Sequence, residues 1–291
     1  MKRRLLNLLI GLVLGIARTA DCLVAAVTGR QRMIASGLAD RLEPVHRQPT
    51  RYGEMRFATP SEACLMRAET FFAKEPDTIA WIEAFPEDFV LWDIGANVGI
   101  YSIYAGLSGR GRVLAFEPEA ANYWVLNRNI HLNGLAERIT GYCAALSDAT
   151  GSTRLALRTT RIGDALHAID GVKGLNENAP AHSQGCLTLS ASEAVTRFGL
   201  PAPTHIKIDV DGAEALVVSG ATEVLSAPGL VSVLVELDNT HESPGRDVVA
   251  ALEGAGFRLA SSETSPIATG RFADIRNYVF TRAPAGAADG N

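Results

Sequence analysis

Hydrophobic and polar positions along the chain change their rhythm near residue 89. After that point short apolar runs alternate with segments of helical period. Phe89–Ile94 and Arg112–Glu117 read as strands, and Ile139–Ala145 as a third. Ile100–Leu107 and Glu119–Leu132 read as the helices between them, the second closed by Asn133-Gly134 as a C-cap. Later runs repeat the theme: strand His205–Val210, helix Ala213–Val224, strand Leu230–Leu237, helix Gly245–Gly254, then short strands at Phe257–Ala260 and Tyr278–Arg282. Strands alternating with helices predict a mostly parallel sheet covered on both faces.

The earlier part is less regular. Residues 31–60 are punctuated by Pro44, Pro49, Gly53 and Pro60, and a short hairpin is expected around Arg51–Phe57. Ser61 is placed to cap a helix that runs on through Arg67, and a further helix from Glu75 presents Ile79, Ile82 and Phe85 on one face before Pro86. Residues 150–186 are irregular and rich in Gly and Asn, with ribbon character at Thr153–Leu157. The segment most suited to selecting a substrate is therefore the least readable. The expected organisation is an apolar helix over 1–30, an accessory region over 31–85, an α/β domain over 86–283, and a disordered tail over 284–291.

The amino terminus has its own logic. Lys2, Arg3 and Arg4 precede an apolar run from Leu5 to Ala17, and a second apolar stretch covers Cys22–Val27. The first run is short for a bilayer span. A monotopic anchor on the inner membrane face, a buried helix and a cleaved signal all stay open. A net charge of −5 disfavours a nucleic-acid partner. Cys22, Cys64, Cys143 and Cys186 form no C-x-x-C pair, so a reduced, cytoplasmic protein is expected, with no zinc site.

The chemistry concentrates at strand ends. Asp93-Ile94-Gly95-Ala96-Asn97-Val98-Gly99 links a strand to a helix, and Gly95 and Gly99 allow a tight turn. The dinucleotide spacing G-x-G-x-x-G is absent, because Asn97 stands at its second glycine. Asp93 suits a ligand ammonium and would repel a pyrophosphate, which favours S-adenosylmethionine over a dinucleotide. Glu117, 24 positions after Asp93, is placed for the ribose hydroxyls. Ser147 or Asp148 is placed for the adenine amino group, or else simply starts a turn.

Lys207 and Asp209 share one face of a strand, where charge requires partners or a polar cleft. Asp209 is the expected neighbour of an acceptor hydroxyl, as base or orienting group, with Lys207 holding it. Asp211 and Glu214 are the next candidates, and His182 and His241 lie outside any motif. A metal-assisted variant would draw on Asp209, Asp211, Glu236 and Asp238 with magnesium or calcium, although no metal is required. A binding module without turnover is the alternative from another class.

As a set, the D-I-G-A-N-V-G turn, Phe116-Glu117-Pro118, Asn129–Gly134, Ala145–Asp148 and Ile206–Glu214 resemble the FkbM-type S-adenosylmethionine-dependent methyltransferases, from about Glu75 to Leu237. The resemblance implies a Rossmann-like class I methyltransferase fold. It also implies S-adenosylmethionine as cofactor and O-methylation of a hydroxyl on a glycan, lipid or natural product. Asp211 stands where the family usually has Glu. Thr188-Leu189-Ser190 stands where it has T-L-D, which removes an acid near the mouth of the site.

Overall fold

The computed structural model describes residues 2–30, 33–170, 172, 180, 182–238, 244–270 and 273–282. His241 and the expected tail lie outside the described residues, as does part of the 150–186 segment. The chain divides into two compact units, Met1–Pro44 and Val45–Asn291.

The first unit holds α1 (Lys2–Thr28) and α2 (Met33–Arg41). The two apolar stretches of the amino terminus thus form one helix, which runs through Arg18 and Asp21 without a break. Asp21 does not disrupt it because its carboxylate is used. Its two oxygens accept the Ile34 and Ala35 amides at 2.7 and 3.2 Å, satisfying orphan donors at the start of α2. Leucine, isoleucine and valine side chains along α1 are exposed. By length and apolarity the segment Arg4–Thr28 suffices to cross a membrane.

The second unit opens with the hairpin β1 (Val45–Thr50) and β2 (Gly53–Ala58), longer than the pattern predicts. Three short helices follow: α3 (Glu62–Glu69), α4 (Phe71–Lys74) and α5 (Pro76–Glu83). Ser61 caps α3 as expected, its hydroxyl accepting from the Cys64 amide at 3.1 Å. Then come β3 (Val90–Ile94), α6 (Ile100–Leu107), β4 (Arg112–Phe116), α7 (Ala120–Leu132) and β5 (Ile139–Tyr142). A second sheet is built from β6 (Ala145–Ser147), β7 (Gly151–Leu157), β8 (Ala168–Ile169) and β9 (His182–Ser190), in the order β6-β9-β7-β8. The chain returns through α8 (Ala191–Thr196), β10 (His205–Ile208), α9 (Glu214–Ser219), α10 (Thr222–Ser226), β11 (Ser232–Asp238), α11 (Pro244–Gly254), β12 (Arg258–Thr264) and β13 (Ile275–Thr281).

The main sheet has seven strands in the order β12-β13-β11-β10-β3-β4-β5. The five from β11 to β5 are parallel, and β13 and β12 close the edge antiparallel. Alternation along each strand divides its side chains between two cores. Leu91, Val113, Ala115 and Leu234 join the α5–α6–α7 side, whereas Trp92, Ile94, Leu114, Phe116, Ile206 and Ile208 join the α8–α11 side. Two expectations differ in detail. The strand at Ile139–Ala145 ends at Tyr142, because Ala145–Ser147 leaves to pair with β9. The helix at Ala213–Val224 is interrupted at Gly220, whose missing Cβ would sit 2.0 Å from the Ser147 carbonyl.

Candidate functional site

The strand order reverses direction at β3, with β4 on one side and β10 on the other. Beyond the carboxyl ends of these three strands lies a cleft lined by Gly95, Asn97, Glu117, Asp209, Asp211 and Arg67, among others. Such a switch point is where open α/β sheets hold ligands.

The turn after β3 is held by its own backbone. The Gly95 and Ala96 amides donate to the Phe116 carbonyl at 2.9 and 3.0 Å. Gly95 has φ 83°, and a Cβ there would meet the Asp209 carbonyl oxygen at 1.8 Å. The glycine therefore lets β3 and the end of β10 approach each other. Gly99, φ 82°, serves packing in the same way, since a Cβ would lie 2.3 Å from Leu126. It does not line the cleft.

Glu117 is 5% exposed, and its oxygens accept the Asn97 and Glu119 amides at 2.8 and 2.9 Å. Burial pushes its carboxyl up to about 7, against these two hydrogen bonds, which lower it. Asp93 sits behind the turn rather than on the cleft wall. It is 1% exposed, accepts the Ser102 hydroxyl at 2.5 Å on one oxygen and has no hydrogen-bond partner among the described residues on the other. Its neighbour across the register is Lys207. Ser147 is buried and donates to Asp148 at 3.0 Å, while Asp148 is exposed. Neither lines the cleft, whose wall on that side is apolar: Ala145, Leu146, Leu155 and Ile169.

The acids after β10 have three different environments. Lys207, 2% exposed, donates to Asp209 at 2.8 Å. Burial would raise the Asp209 carboxyl, but the Lys207 ammonium overrides it and holds the carboxyl well below the usual range. Asp211, in a left-handed turn at φ 54°, accepts the Leu166 amide at 2.7 Å. Burial and the neighbouring Asp209 charge raise it to about 6. Glu214 accepts the Gly212 amide at 3.0 Å and is raised to about 7 by burial, but it does not line the cleft.

Several residues here carry no signal in the sequence. Segment 158–169 roofs the cleft and is fastened from four elements. Asn97 and Asn122 side-chain amides both donate to the Asp164 carbonyl, at 2.9 and 3.1 Å. Arg67 Nε donates to the Gly163 carbonyl at 2.8 Å, and Ser61 to Ile162 at 2.6 Å. Leu166 takes φ 64°, a left-handed conformation costing a branched-chain residue about 1–2 kcal/mol. Arg67, Ala165 and Asp211 are shared with a second cavity of about 380 Å³, which extends toward β11 and β13. Glu75, on the loop before α5, brings its carboxylate within 4.8 Å of Asp209 and Glu236. Asp211 and Asp238 are not part of that trio. Lys74 contacts Glu75 at 2.6 Å and Lys207 contacts Asp209 at 2.8 Å. Two ammonium groups thus lie against the trio, Lys74 on Glu75 and Lys207 on Asp209.

The sequence pattern of the Methyltransferase FkbM domain matches residues 93–259, and the chain belongs to this family. The matched segment carries that family's methyltransferase domain, and the mostly parallel sheet with helices on both faces is Rossmann-like. The hexuronic acid methyltransferase AglP of Haloferax volcanii is 28% identical over 157 residues, covering 52% of this chain and 58% of that protein. The 31-O-demethyl-FK506 methyltransferase FkbM of Streptomyces tacrolimicus is 27% identical over 213 residues, covering 65% of this chain and 79% of that protein. Among solved structures, Aeropyrum pernix fibrillarin with natively bound S-adenosyl-L-methionine aligns at a TM-score of 0.45 and 12% identity, covering 82% of this chain and 83% of that one.

Titration of Glu117 should be visible in stability. Its folded pKa, about 7, lies above the ordinary 4.5, so the folded state binds the extra proton between these values. Stability therefore falls as pH rises through that window. Glu117→Gln removes the dependence. The melting-temperature advantage of the variant over the parent should be larger at about pH 8 than at about pH 5. An equal difference at both would contradict the assignment.

Proposed function

We propose that the protein O-methylates a hydroxyl-bearing acceptor at the junction of the two cavities. The observation that carries this reading is the placement of Asp211, which lines both of them. S-adenosylmethionine, when bound, supplies an electrophilic methyl group on a sulfonium centre. Glu117 suits its ribose: each oxygen already has one backbone donor, and two hydroxyls would supply the further donors that a buried carboxylate needs. Gly95 and Asn97 would form the floor beneath it. Asp209 and Asp211 give the cleft an acidic wall that suits a cation. In this reading they stand where the ligand ammonium was expected to meet Asp93.

Asp211 is the proposed proton acceptor. The acceptor O–H proton passes to its carboxylate as the new C–O bond forms and the C–S bond breaks, leaving a neutral thioether. A carboxyl near 6 is a better match to this task than Asp209, which Lys207 keeps ionised and weakly basic. Asp209 then serves as an orienting group, with Lys207 and Glu214 as supports. Most of the acceleration comes from alignment. The two relatives are named a hexuronic acid methyltransferase and a 31-O-demethyl-FK506 methyltransferase; the second name specifies an oxygen acceptor and the first a sugar acid, which supports an acceptor of glycan or natural-product type.

Asp211→Asn keeps the shape and the acceptor for Leu166. Transfer of labelled methyl to glycan, glycolipid or small-molecule extracts should fall by about 10²–10⁴-fold, with cosubstrate affinity kept. Near-normal transfer would move the role to Asp209, which also lines the cleft. Labelling in no fraction would favour the binding-module alternative.

The first unit is proposed to attach the enzyme to the inner face of the cytoplasmic membrane, because α1 leaves apolar side chains exposed beside a basic start. Deleting residues 2–28 should shift the protein from the membrane fraction to the soluble one. Full-length protein that is already soluble and monomeric would refute this.

A further inference from the structure

The second cavity has features that cosubstrate binding does not use. It lies between α3–α4, the 158–166 segment, and the strands β11 and β13. Glu236 and Asn277 are direct partners in the antiparallel β11–β13 register, so their side chains stand side by side on one face. Asn277 is 8% exposed, and its Oδ1 has no hydrogen-bond partner among the described residues. An unsatisfied buried carbonyl of this kind is destabilising until a donor reaches it. Burial and the Asp209 charge push the carboxyl of its register partner Glu236 upward, and Glu236 also lines the cavity, where it can accept a hydrogen bond.

The lining also carries apolar side chains, Met66, Ile267 and Ile275, the last of these two residues before Asn277 on β13, together with the charged Arg67, Lys74 and Arg158. At about 380 Å³ the cavity holds far more than a bridging water, whose share of liquid volume is about 30 Å³. Its occupant needs hydroxyl donors for Asn277 and Glu236 and C–H groups for the apolar side chains. A pyranose ring has both. The Asn277 amide oxygen would take a donor from one hydroxyl, and Glu236 a donor from its neighbour. A third hydroxyl is then directed toward Asp211 at the junction with the first cavity.

We propose that this second cavity is the acceptor subsite and takes a pyranose ring, with Asn277 and Glu236 reading neighbouring hydroxyls. The proposal rests on the methyl-transfer reading for which hydroxyl reacts, but not for binding of the sugar. A site built to pair a substrate hydroxyl discriminates strongly once the pairing is lost.

The test uses full-length protein saturated with S-adenosylhomocysteine and saturation-transfer NMR with the methyl pyranosides of glucose, galactose, mannose and glucuronic acid. At least one should bind in the millimolar range. Asn277→Leu, of similar volume, should weaken it by at least about tenfold. Ile267 is 47% exposed on the cavity wall, so Ile267→Trp fills the space without touching the core and should also block the sugar. Both variants should keep the parent affinity for S-adenosylhomocysteine by calorimetry. No pyranoside bound by the parent protein, or unchanged binding in both variants, overturns the proposal. Failure of the parent to bind S-adenosylhomocysteine would instead strike the methyltransferase reading, whatever the sugars do.

Discussion

The ammonium group of Lys207 is the charge on which the ligand end of the sheet depends. It is 2% exposed in the middle of a parallel strand, where an unpaired charge would be prohibitively costly. Its neighbours are carboxylates from three different places: Asp209 two residues on, Asp93 across the register on β3, and Glu75 before α5, all of which raise its pKa. Its Nζ also lies 5.1 Å from the Tyr101 ring centroid. One cation thus allows acids from β3, β10 and the α4–α5 junction to converge behind the glycine turn. Without it, mutual repulsion and desolvation would force them apart or make them neutral.

This arrangement separates the acids by task. Asp209 touches the lysine and is kept ionised, which fixes its position and makes it a poor base. Asp211, two residues further and without an ammonium in contact, is raised toward neutrality by burial and by the Asp209 charge itself. Glu117, on the far side of the turn, accepts two backbone amides and rises further, because burial outweighs those bonds and the Arg67 charge. Neighbouring carboxyls in one cleft therefore differ in proton affinity because of what each one touches.

The parts legible in the sequence are those written in local spacing. The β3–turn–α6 unit, Glu117 at the end of β4, and the Lys207–Asp209 face of β10 all follow from period and from residue type. Ser61 as a cap follows from the same kind of signal. What stayed hidden depends on contacts distant in sequence. Arg67 reaches the cleft by bonding to Gly163, 96 residues away. Asn277 and Glu236 become neighbours only when β13 folds back antiparallel on β11. Asp93 illustrates the reverse case. Its position at the turn suggests contact with a ligand ammonium, yet its side chain points to the Ser102 and Lys207 face, because strand alternation sends it behind the turn. Of the second sheet, the ribbon at Thr153–Leu157 is legible, but β9 carries no regular apolar alternation and its pairing with β6 and β7 is set by contacts distant in sequence.

The central claim is that Lys207 neutralises a converging set of buried carboxylates, and its most direct test is replacement by an apolar residue of similar length. Lys207→Met should cost about 3–5 kcal/mol in urea unfolding, the range for removing one partner of a buried ion pair. The loss should shrink as the pH is lowered, since the stranded carboxylates are then protonated in both states. A loss below about 1 kcal/mol, typical of surface pairs, and independent of pH would contradict the account.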